Sequence, residues 1–368
     1  MIYLDHAATC PLRKEALDTM LPYFNETYGN PSSQHGAGRA AKNALETARL
    51  EVATLFGVTM KEVYFTSSGT EADNMAILSS YKNRKISPGH MVTTAIEHEA
   101  VLETAKCLES LGVEVSYIKP DKNGLVSAEK VLAAVRDDTF LVSVMAVNNE
   151  VGSIQPIEAI QEGLKGRVPL HVDGVQAAGH LPVKDYSGDF IAISGHKFYG
   201  PKGVGILIAK QELHPFTLGG GQERGMRSGT ENIPSIIGMV EALKLAERER
   251  EATSKHIAAL SAVCRRGLES MEGVHLTVEG ADPRIVHAMV DGMERDVLLF
   301  QLDRKNIAAS GGSACQAGAS TASHVLSAMG IDEKGKAPLR ISFGPENTME
   351  DVEVFLRALK DILERKRQ

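Results

Sequence analysis

Short hydrophobic runs alternate with segments of helical period across the middle of the chain. Several of these runs are apolar at successive positions, which is typical of strands that helices cover on both faces of a sheet. The predicted strands span residues 62–66, 90–95, 113–118, 140–147, 168–172, 189–194 and 204–209. Because strands and helices alternate, the pattern predicts a mostly parallel, seven-stranded α/β sheet.

Helical patterns flank this region on both sides. The apolar stripe before the first strand consists of Leu45, Ala48, Val52, Leu55 and Phe56. Gly57 follows it, and glycine is common just past a helix end. After Asn232 a long helical run is predicted to end in the charged stretch 247–251, which we interpret as a solvated helix face.

The length of 368 residues exceeds what a single compact core usually holds. We therefore expect a large domain, residues 15–257, that contains the sheet. Residues 1–14 and 258–368 are expected to form a smaller α+β domain, which closes with an amphipathic helix.

The composition excludes several classes of protein. The net charge of −7 argues against a nucleic-acid partner, which usually requires a basic surface. No apolar stretch approaches the roughly 18 residues of a membrane span, so no membrane association is expected. The first residues lack the basic and apolar regions of a secretory signal. The four cysteines, Cys10, Cys107, Cys264 and Cys315, show no metal-like spacing, and we expect reduced thiols in a cytoplasmic protein.

Candidate chemistry follows the predicted strands, since ligands of α/β sheets gather at the carboxyl ends of the strands. The turn S-S-G-T at 67–70 opens a helix, where backbone N–H groups form an anion site; alternatively it is a simple helix cap. Asp173 and Lys197 follow two later strands, and they are either a salt bridge or parts of one site. An anion cradle, a carboxylate and a lysine together are what pyridoxal 5'-phosphate requires.

Each of these parts has a chemical reason. A partly desolvated lysine is neutral and able to form a Schiff base with the cofactor, and a carboxylate keeps the pyridine nitrogen protonated. His98 follows strand 90–95 and is a candidate platform over the cofactor ring, although a lone histidine is more often structural. Asn148 and Gln176 also lie at strand ends, and either can hydrogen-bond the ring hydroxyl.

Eight motifs in order along the chain carry a resemblance to a known family. They are L-D-H-A-A-T, G-N-P-S-S-Q-H, F-T-S-S-G-T-E-A-D-N, V-N-N-E-V-G, H-V-D-G-V-Q, S-G-H-K-F-Y-G-P-K-G, G-G-G-Q-E-R-G-M-R-S-G-T-E-N and G-G-S-A-C. Together they resemble the cysteine desulfurases, the NifS/IscS-like group of the class V aminotransferase family. The resemblance covers nearly the whole chain. It implies the fold-type I, aminotransferase-like architecture and a homodimer with sites near the subunit interface.

The resemblance also implies roles for individual residues. Lys197 forms the Schiff base, and Arg340 holds the substrate carboxylate, although a surface ion pair is the alternative for Arg340. The other implied contacts are Asp173 at the pyridinium nitrogen, His98 on the ring, Gln176 and Asn148 near its hydroxyl, Asn30 near the substrate, and Gly69, Thr70, Ser194, His196 and, from the other subunit, Thr230 at the phosphate.

Cys315 stands in the run S-G-G-S-A-C-Q-A-G-A-S, where no neighbour is bulky enough to pack against it. The resemblance implies that this thiolate takes sulfur from L-cysteine, leaving alanine and a persulfide, with His98 exchanging protons with the sulfur. The persulfide then passes to a sulfur acceptor or an iron–sulfur scaffold protein. No resident metal is implied, and Cys315 contacts iron and sulfur only during transfer. Small residues permit many backbone conformations, so we expect residues 311–323 to be mobile.

Three alternatives remain at this point. A selenocysteine lyase or an aminotransferase of the same fold would use the same cofactor, although transamination needs no thiol. A non-catalytic sulfur-relay subunit is expected to have lost Lys197 or Asp173, and both are present. Cys10 stands where many relatives have threonine, and we interpret it as structural.

Overall fold

A computed structural model describes residues 1–312 and 322–367 of the chain. The strands of this part are β1 (Ile2–Tyr3), β2 (Val63–Thr66), β3 (His90–Thr94), β4 (Glu114–Ile118), β5 (Thr139–Met145), β6 (Leu170–Asp173), β7 (Phe190–Ser194), β8 (Gly205–Ala209), β9 (Val274–Leu276), β10 (Ile285–Asp291), β11 (Ile307–Ala308) and β12 (Lys336–Ser342). The α-helices are α1 (Lys14–Met20), α2 (Pro22–Asn25), α3 (Gly36–Phe56), α4 (Gly69–Asn83), α5 (Glu99–Ser110), α6 (Ala128–Ala133), α7 (Ile157–Leu164), α8 (Ile233–Glu269), α9 (Arg295–Asp303), α10 (His324–Ala328) and α11 (Met349–Arg367).

The predicted seven-stranded sheet is confirmed, and each predicted strand corresponds to one of β2 to β8. The strand order is β2-β8-β7-β6-β5-β3-β4. Four of the six strand pairs are parallel, while β8 runs antiparallel to both of its neighbours. The central strands β3, β5, β6 and β7 are buried along their whole length, because helices cover both faces of the sheet.

Further secondary structure forms a separate layer. A three-stranded antiparallel sheet has the order β12-β10-β9, and β1 pairs with β11 in parallel. Side chains of these strands pack against α9 and α11 in a hydrophobic cluster that includes Phe355, Leu339 and Leu298 and is separate from that of the large sheet. The proposed domain boundaries at 15–257 and 258–368 remain a prediction.

The long helix α8 differs from the sequence prediction. It continues past the charged stretch 247–251 to Glu269. Its first half packs in the cluster of the large sheet through Met239 and Leu243, and its second half packs in the cluster of β10 and β12 through Leu260 and Leu268. Since the charged stretch is helical in propensity and lies between the two apolar halves, nothing in it ends the helix.

None of the described helices is long and apolar enough to cross a membrane.

Candidate active site

A cavity of about 260 Å³ lies at the carboxyl ends of β6 and β7. Nine of the residues predicted for the site line it: Gly69, Thr70, His98, Asp173, Gln176, Ser194, His196, Lys197 and Arg340. They come from five different segments of the chain. Four of these end or follow strands of the large sheet, which bring them together because parallel strands end at the same edge, and Arg340 comes from β12.

Lys197 lies in a 3₁₀ turn, Gly195–Lys197, that directly follows β7. Its ammonium group donates hydrogen bonds to the carbonyl oxygens of Ala7 at 2.6 Å and Ala8 at 2.9 Å. Burial, and then the positive charge of Arg340, lowers the pKa of Lys197 from 10.5 to about 8. A lysine with this pKa is far closer to its nucleophilic, neutral form at physiological pH than a surface lysine.

The N-terminal segment 4–10 forms one wall of the site, which the sequence prediction did not anticipate. Hydrogen bonds from the backbone N–H groups of Leu4 to Ala308 and of Ala7 to the Ser342 hydroxyl hold it beside β11 and β12. Thr9 contacts the His196 ring at 3.1 Å. The motif L-D-H-A-A-T marked this segment, but its contribution to Lys197 is two backbone carbonyls, and backbone groups leave no signature in residue type.

Cys10 is buried beneath the same turn. Its thiol donates to the carbonyl oxygen of Lys197 at 3.3 Å, and burial raises its pKa to about 12. It is therefore a neutral thiol that packs behind the lysine, in keeping with the structural role expected for it.

Asp173 ends β6, and its buried carboxylate accepts a hydrogen bond from the backbone N–H of Val175 at 2.9 Å. Burial raises its pKa, and the nearby charges of His98 and Lys197 oppose that effect. Asp73, which sequence reasoning missed, also lines the cavity, fully buried and 3.3 Å from the His171 ring. Burial and the neighbouring carboxylates of Asp173 and Glu97 raise the pKa of Asp73 far above its ordinary value.

The predicted anion cradle lies at the N-terminus of α4. Ser68 caps the helix, accepting a hydrogen bond from the backbone N–H of Glu71 at 3.1 Å. A Cβ atom at Gly69 would lie 2.6 Å from a methyl carbon of Val175 and 3.4 Å from the Cβ of Ser194. The wall at Gly69 is therefore lined by backbone where a side chain would not fit. Because the first N–H groups of a helix have no partner within the helix, such a terminus favours an anion.

His98 and Gln176 both line the cavity, whereas Asn148 is not part of its lining. His98 caps α5 through its Nδ1, which accepts from the backbone N–H of Ala100 at 3.1 Å. The Gln176 amide donates to the carbonyl oxygen of Ala7 at 2.8 Å. Asn148 is fully buried and its amide donates to the carbonyl oxygen of Ile96, while its neighbour Asn149 lines the cavity.

Arg340 projects from the middle of β12 and is almost completely buried. Its guanidinium group donates to the Asp5 carboxylate at 2.8 Å and to the Asn149 carbonyl oxygen at 2.6 Å. The Nε atom is buried without a hydrogen-bond partner. The alternative of a surface ion pair is wrong, because this arginine is 1% exposed and faces the cavity.

Besides Asn148, two described residues that were predicted for the site, Asn30 and Thr230, are absent from this cavity lining. Asn30 is exposed, and its side chain accepts a hydrogen bond from the backbone N–H of Ser32. Thr230 is also exposed. Cys315 and most of the segment 311–323 lie outside the described residues. The mobility expected of this segment therefore stays a prediction. Within residues 1–312 and 322–367, no group of three His, Cys, Asp or Glu side chains is placed to hold a metal ion.

Comparison with known proteins decides the family. The model of the class V aminotransferases matches residues 2–355. The chain belongs to the class V aminotransferase family. It is 44% identical to the putative cysteine desulfurase IscS 1 of Bacillus subtilis (strain 168), with 99% of each chain covered. It is 41% identical to the cysteine desulfurase IscS of Methanosarcina thermophila, covering 100% of this chain and 93% of the relative.

A solved structure supports the same assignment. A NifS-like protein superposes with a TM-score of 0.92 at 36% identity, with 99% of each chain covered. The resemblance to the NifS/IscS-like group and the fold expected from it are therefore confirmed.

Proposed function

We propose that this chain is a pyridoxal 5'-phosphate-dependent cysteine desulfurase that converts L-cysteine to L-alanine and leaves the sulfur as a persulfide on Cys315. The observation that carries the proposal is the convergence of Lys197, Asp173 and Arg340 on one cavity beside an anion-binding helix terminus. The full-length similarity to proteins named cysteine desulfurase supports this choice within the family.

The residues fit the cofactor. Lys197 supplies an amine of lowered pKa, Asp173 a buried carboxylate for a protonated ring nitrogen, and Gly69 a wall in which a Cβ would clash. We assign Thr70, Ser194, His196 and the first turn of α4 to the phosphate, and His98 and Gln176 to the ring as the sequence predicted. The ring contact predicted for Asn148 is not assigned, because its side-chain amide is engaged with Ile96, Glu150 and Val151 outside the cavity lining. When bound, the cofactor withdraws electrons from the amino acid attached to it.

The substrate is held and deprotonated by this chain's own groups. The unpartnered Nε of Arg340 offers a buried, charge-assisted hydrogen bond to the substrate carboxylate. The Asp5 carboxylate and the Asn149 carbonyl hold the other two nitrogens of the guanidinium and so fix its plane. Lys197, whose lowered pKa favours the neutral amine, would serve as the base that takes the proton from Cα of the substrate and returns it. Asn30 remains a candidate substrate contact.

The atoms and electrons of the sulfur-transfer step balance without any further oxidant or reductant. The Cys315 thiolate forms an S–S bond with the substrate sulfur while the Cβ–S bond of the substrate breaks. The electron pair of that bond stays on Cβ and, with one proton, makes the methyl group of alanine. Cys315 follows the described residue Gly312 by three positions, and three residues span at most about 11 Å. Ser310, two residues before Gly312, pairs with Arg340 through its backbone, so the described chain ends close to the proposed substrate arginine.

We also propose a cytoplasmic homodimer that passes its persulfide to an acceptor or iron–sulfur scaffold protein. The exposed Thr230 is suited to reach the phosphate site of a second subunit rather than its own. Exposed apolar side chains at Leu21, Phe24, Tyr28 and Leu218 provide surface for such an interface.

The test measures sulfide and alanine together from purified protein supplied with L-cysteine and a reductant. We expect equal amounts of both products and a visible absorbance band that borohydride removes. Cys315→Ser should keep the band and lose sulfide release, whereas Lys197→Ala should lose both. A colourless protein that takes up no cofactor, or a Cys315→Ser variant as fast as the native protein, would refute the proposal. Preferential turnover of selenocysteine would instead identify a selenocysteine lyase.

A further inference from the structure

The two described ends that flank residues 313–321 meet at a single buried carboxylate. The Ser323 hydroxyl donates a hydrogen bond of 2.6 Å to Oε2 of Glu150. On the other side, a Cβ atom added to Gly312 would lie 3.2 Å from the same oxygen, so the Gly312 Cα lies near the carboxylate, while the Gly312 backbone N–H donates to the Ser310 hydroxyl at 3.3 Å. Glu150 is 1% exposed. Burying a carboxylate this deeply costs folding free energy unless hydrogen bonds or an opposite charge compensate for the lost water.

Glu150 sits on a turn that is tied to the substrate arginine. Asn148 Oδ1 accepts hydrogen bonds from the backbone N–H groups of Glu150 and Val151, both at 2.9 Å, which holds the turn in one shape. The carbonyl oxygen of Asn149, one residue earlier, accepts from Arg340 at 2.6 Å. The same rigid turn therefore positions both the Arg340 guanidinium and the Glu150 carboxylate.

Ser323 is fixed from several directions. Its backbone N–H donates to Glu333 at 2.6 Å, and its hydroxyl also accepts from the backbone N–H of Leu326 as the cap of α10. His324 contacts the carbonyl oxygen of Glu97 at 2.9 Å, one residue before His98. The Glu150 contact thus joins the start of α10 to the walls of the active site.

We propose that Glu150 is a positioning residue for the sulfur-transfer step, because its carboxylate holds Ser323 near Gly312 on the turn that also binds Arg340. Gly312 and Ser323 flank residues 313–321, the stretch of sequence that contains Cys315. The inference rests on the proposed function. The other carboxylate oxygen of Glu150, Oε1, is buried without a hydrogen-bond partner, which destabilises the folded protein. The proposal explains why a glutamate occupies this position at that cost, because its Oε2 binds Ser323.

The test separates sulfur transfer from chemistry that needs no thiol. The first readout is single-turnover formation of the persulfide and alanine from L-cysteine. The second is exchange of the Cα hydrogen of L-alanine in D₂O, which requires the cofactor, Lys197 and Arg340 but not Cys315. Glu150→Met preserves the side-chain length but replaces the carboxylate with a thioether, which is only a weak hydrogen-bond acceptor. It should therefore slow the first readout roughly tenfold or more and leave the second within about twofold.

Matched variants make the outcome decisive. Ser323→Ala should reproduce the Glu150→Met effect, while Glu150→Gln and Ser323→Thr, which retain the hydrogen bond, should recover most of the rate. Glu247→Met, at another largely buried glutamate with an unpartnered oxygen, serves as the control and should leave both readouts unchanged.

The proposal is overturned if Glu150→Met forms persulfide at the native rate, or if it slows both readouts equally, since equal losses indicate general damage to the fold. Melting temperatures of all variants identify such damage directly. Failure of the proposed function looks different, because the native protein itself would then form no persulfide.

Discussion

At the scale of single residues, the reactivity of Lys197 depends on its surroundings more than on its type. Two carbonyl oxygens of the N-terminal segment hold its ammonium group, while burial and the Arg340 charge disfavour the protonated form. The sequence predicted a desolvated lysine at this position. It did not predict that an arginine 143 positions later in the chain would help to lower the pKa.

The expected consequence is a pH-dependent reaction with the cofactor. Lys197 has a lowered pKa of about 8, so the neutral amine prevails only above that pH. The rate of covalent cofactor uptake by cofactor-free protein should rise about tenfold per pH unit below this value and level off above it. Stopped-flow absorbance measures this rate between pH 6 and roughly 10.

The pH profile of cofactor uptake by the native protein should be compared with that of the Arg340→Met variant. Removing the neighbouring positive charge should raise the pKa of Lys197 and move the midpoint to higher pH. A native midpoint near 10.5, the ordinary value for lysine, would show that burial and charge do not act as described.

At the scale of elements, a buried ion pair joins three segments around the first strand of the sheet. The Arg49 guanidinium of α3 makes two hydrogen bonds of 2.8 Å to the Glu223 carboxylate and a third to the carbonyl oxygen of Val63. Glu223 also accepts from the backbone N–H of Phe65 in β2. This pair therefore fixes the loop 219–230, which includes Thr230, against the sheet.

Glu223→Ala should destabilise the protein strongly. It leaves the Arg49 charge buried without a counter-ion, which typically costs about 3–5 kcal/mol of the free energy of unfolding. Urea denaturation followed by circular dichroism measures the loss. Glu241→Ala, which removes a partly exposed ion pair with Lys244, is the control and should cost less than about 1 kcal/mol. Equal losses in the two variants would contradict the account.

At the scale of the whole molecule, the site is assembled from both hydrophobic clusters. Lys197 and Asp173 follow strands of the large sheet, whereas Arg340 belongs to β12 and its partner Asp5 to the N-terminal segment. The helix α8 extends through both clusters. Relative placement of the two layers thus sets the distance between the groups that bind the cofactor and the group that binds the substrate carboxylate.

If each active site of the proposed dimer contains residues of both subunits, two inactive or weakened variants should complement each other. If Thr230 reaches the partner's phosphate site, Thr230→Ala should weaken cofactor binding, and Lys197→Ala should abolish activity. When the two variants are co-expressed, each mixed dimer has one site with Lys197 from one subunit and Thr230 from the other. Activity at limiting cofactor should therefore exceed that of either variant alone.

Separate affinity tags on the two variants allow the mixed dimer to be isolated. A mixed dimer with no more activity than Thr230→Ala alone, or a chain that sediments as a monomer, would refute the shared site.

Much of this protein can be predicted from local pattern. The seven strands of the large sheet are recognisable because buried strands are apolar on both faces, and Asp173 and Lys197 are recognisable because they directly follow such strands. Other features depend on contacts between distant segments. Asn148 and Asn149 are equivalent in type, and only the turn decides that Asn149 lines the cavity. The carbonyl oxygens of Ala7 and Ala8, the burial of Asp73 and the tether between Glu150 and Ser323 likewise require the folded chain, because backbone groups and burial arise from packing and not from residue type.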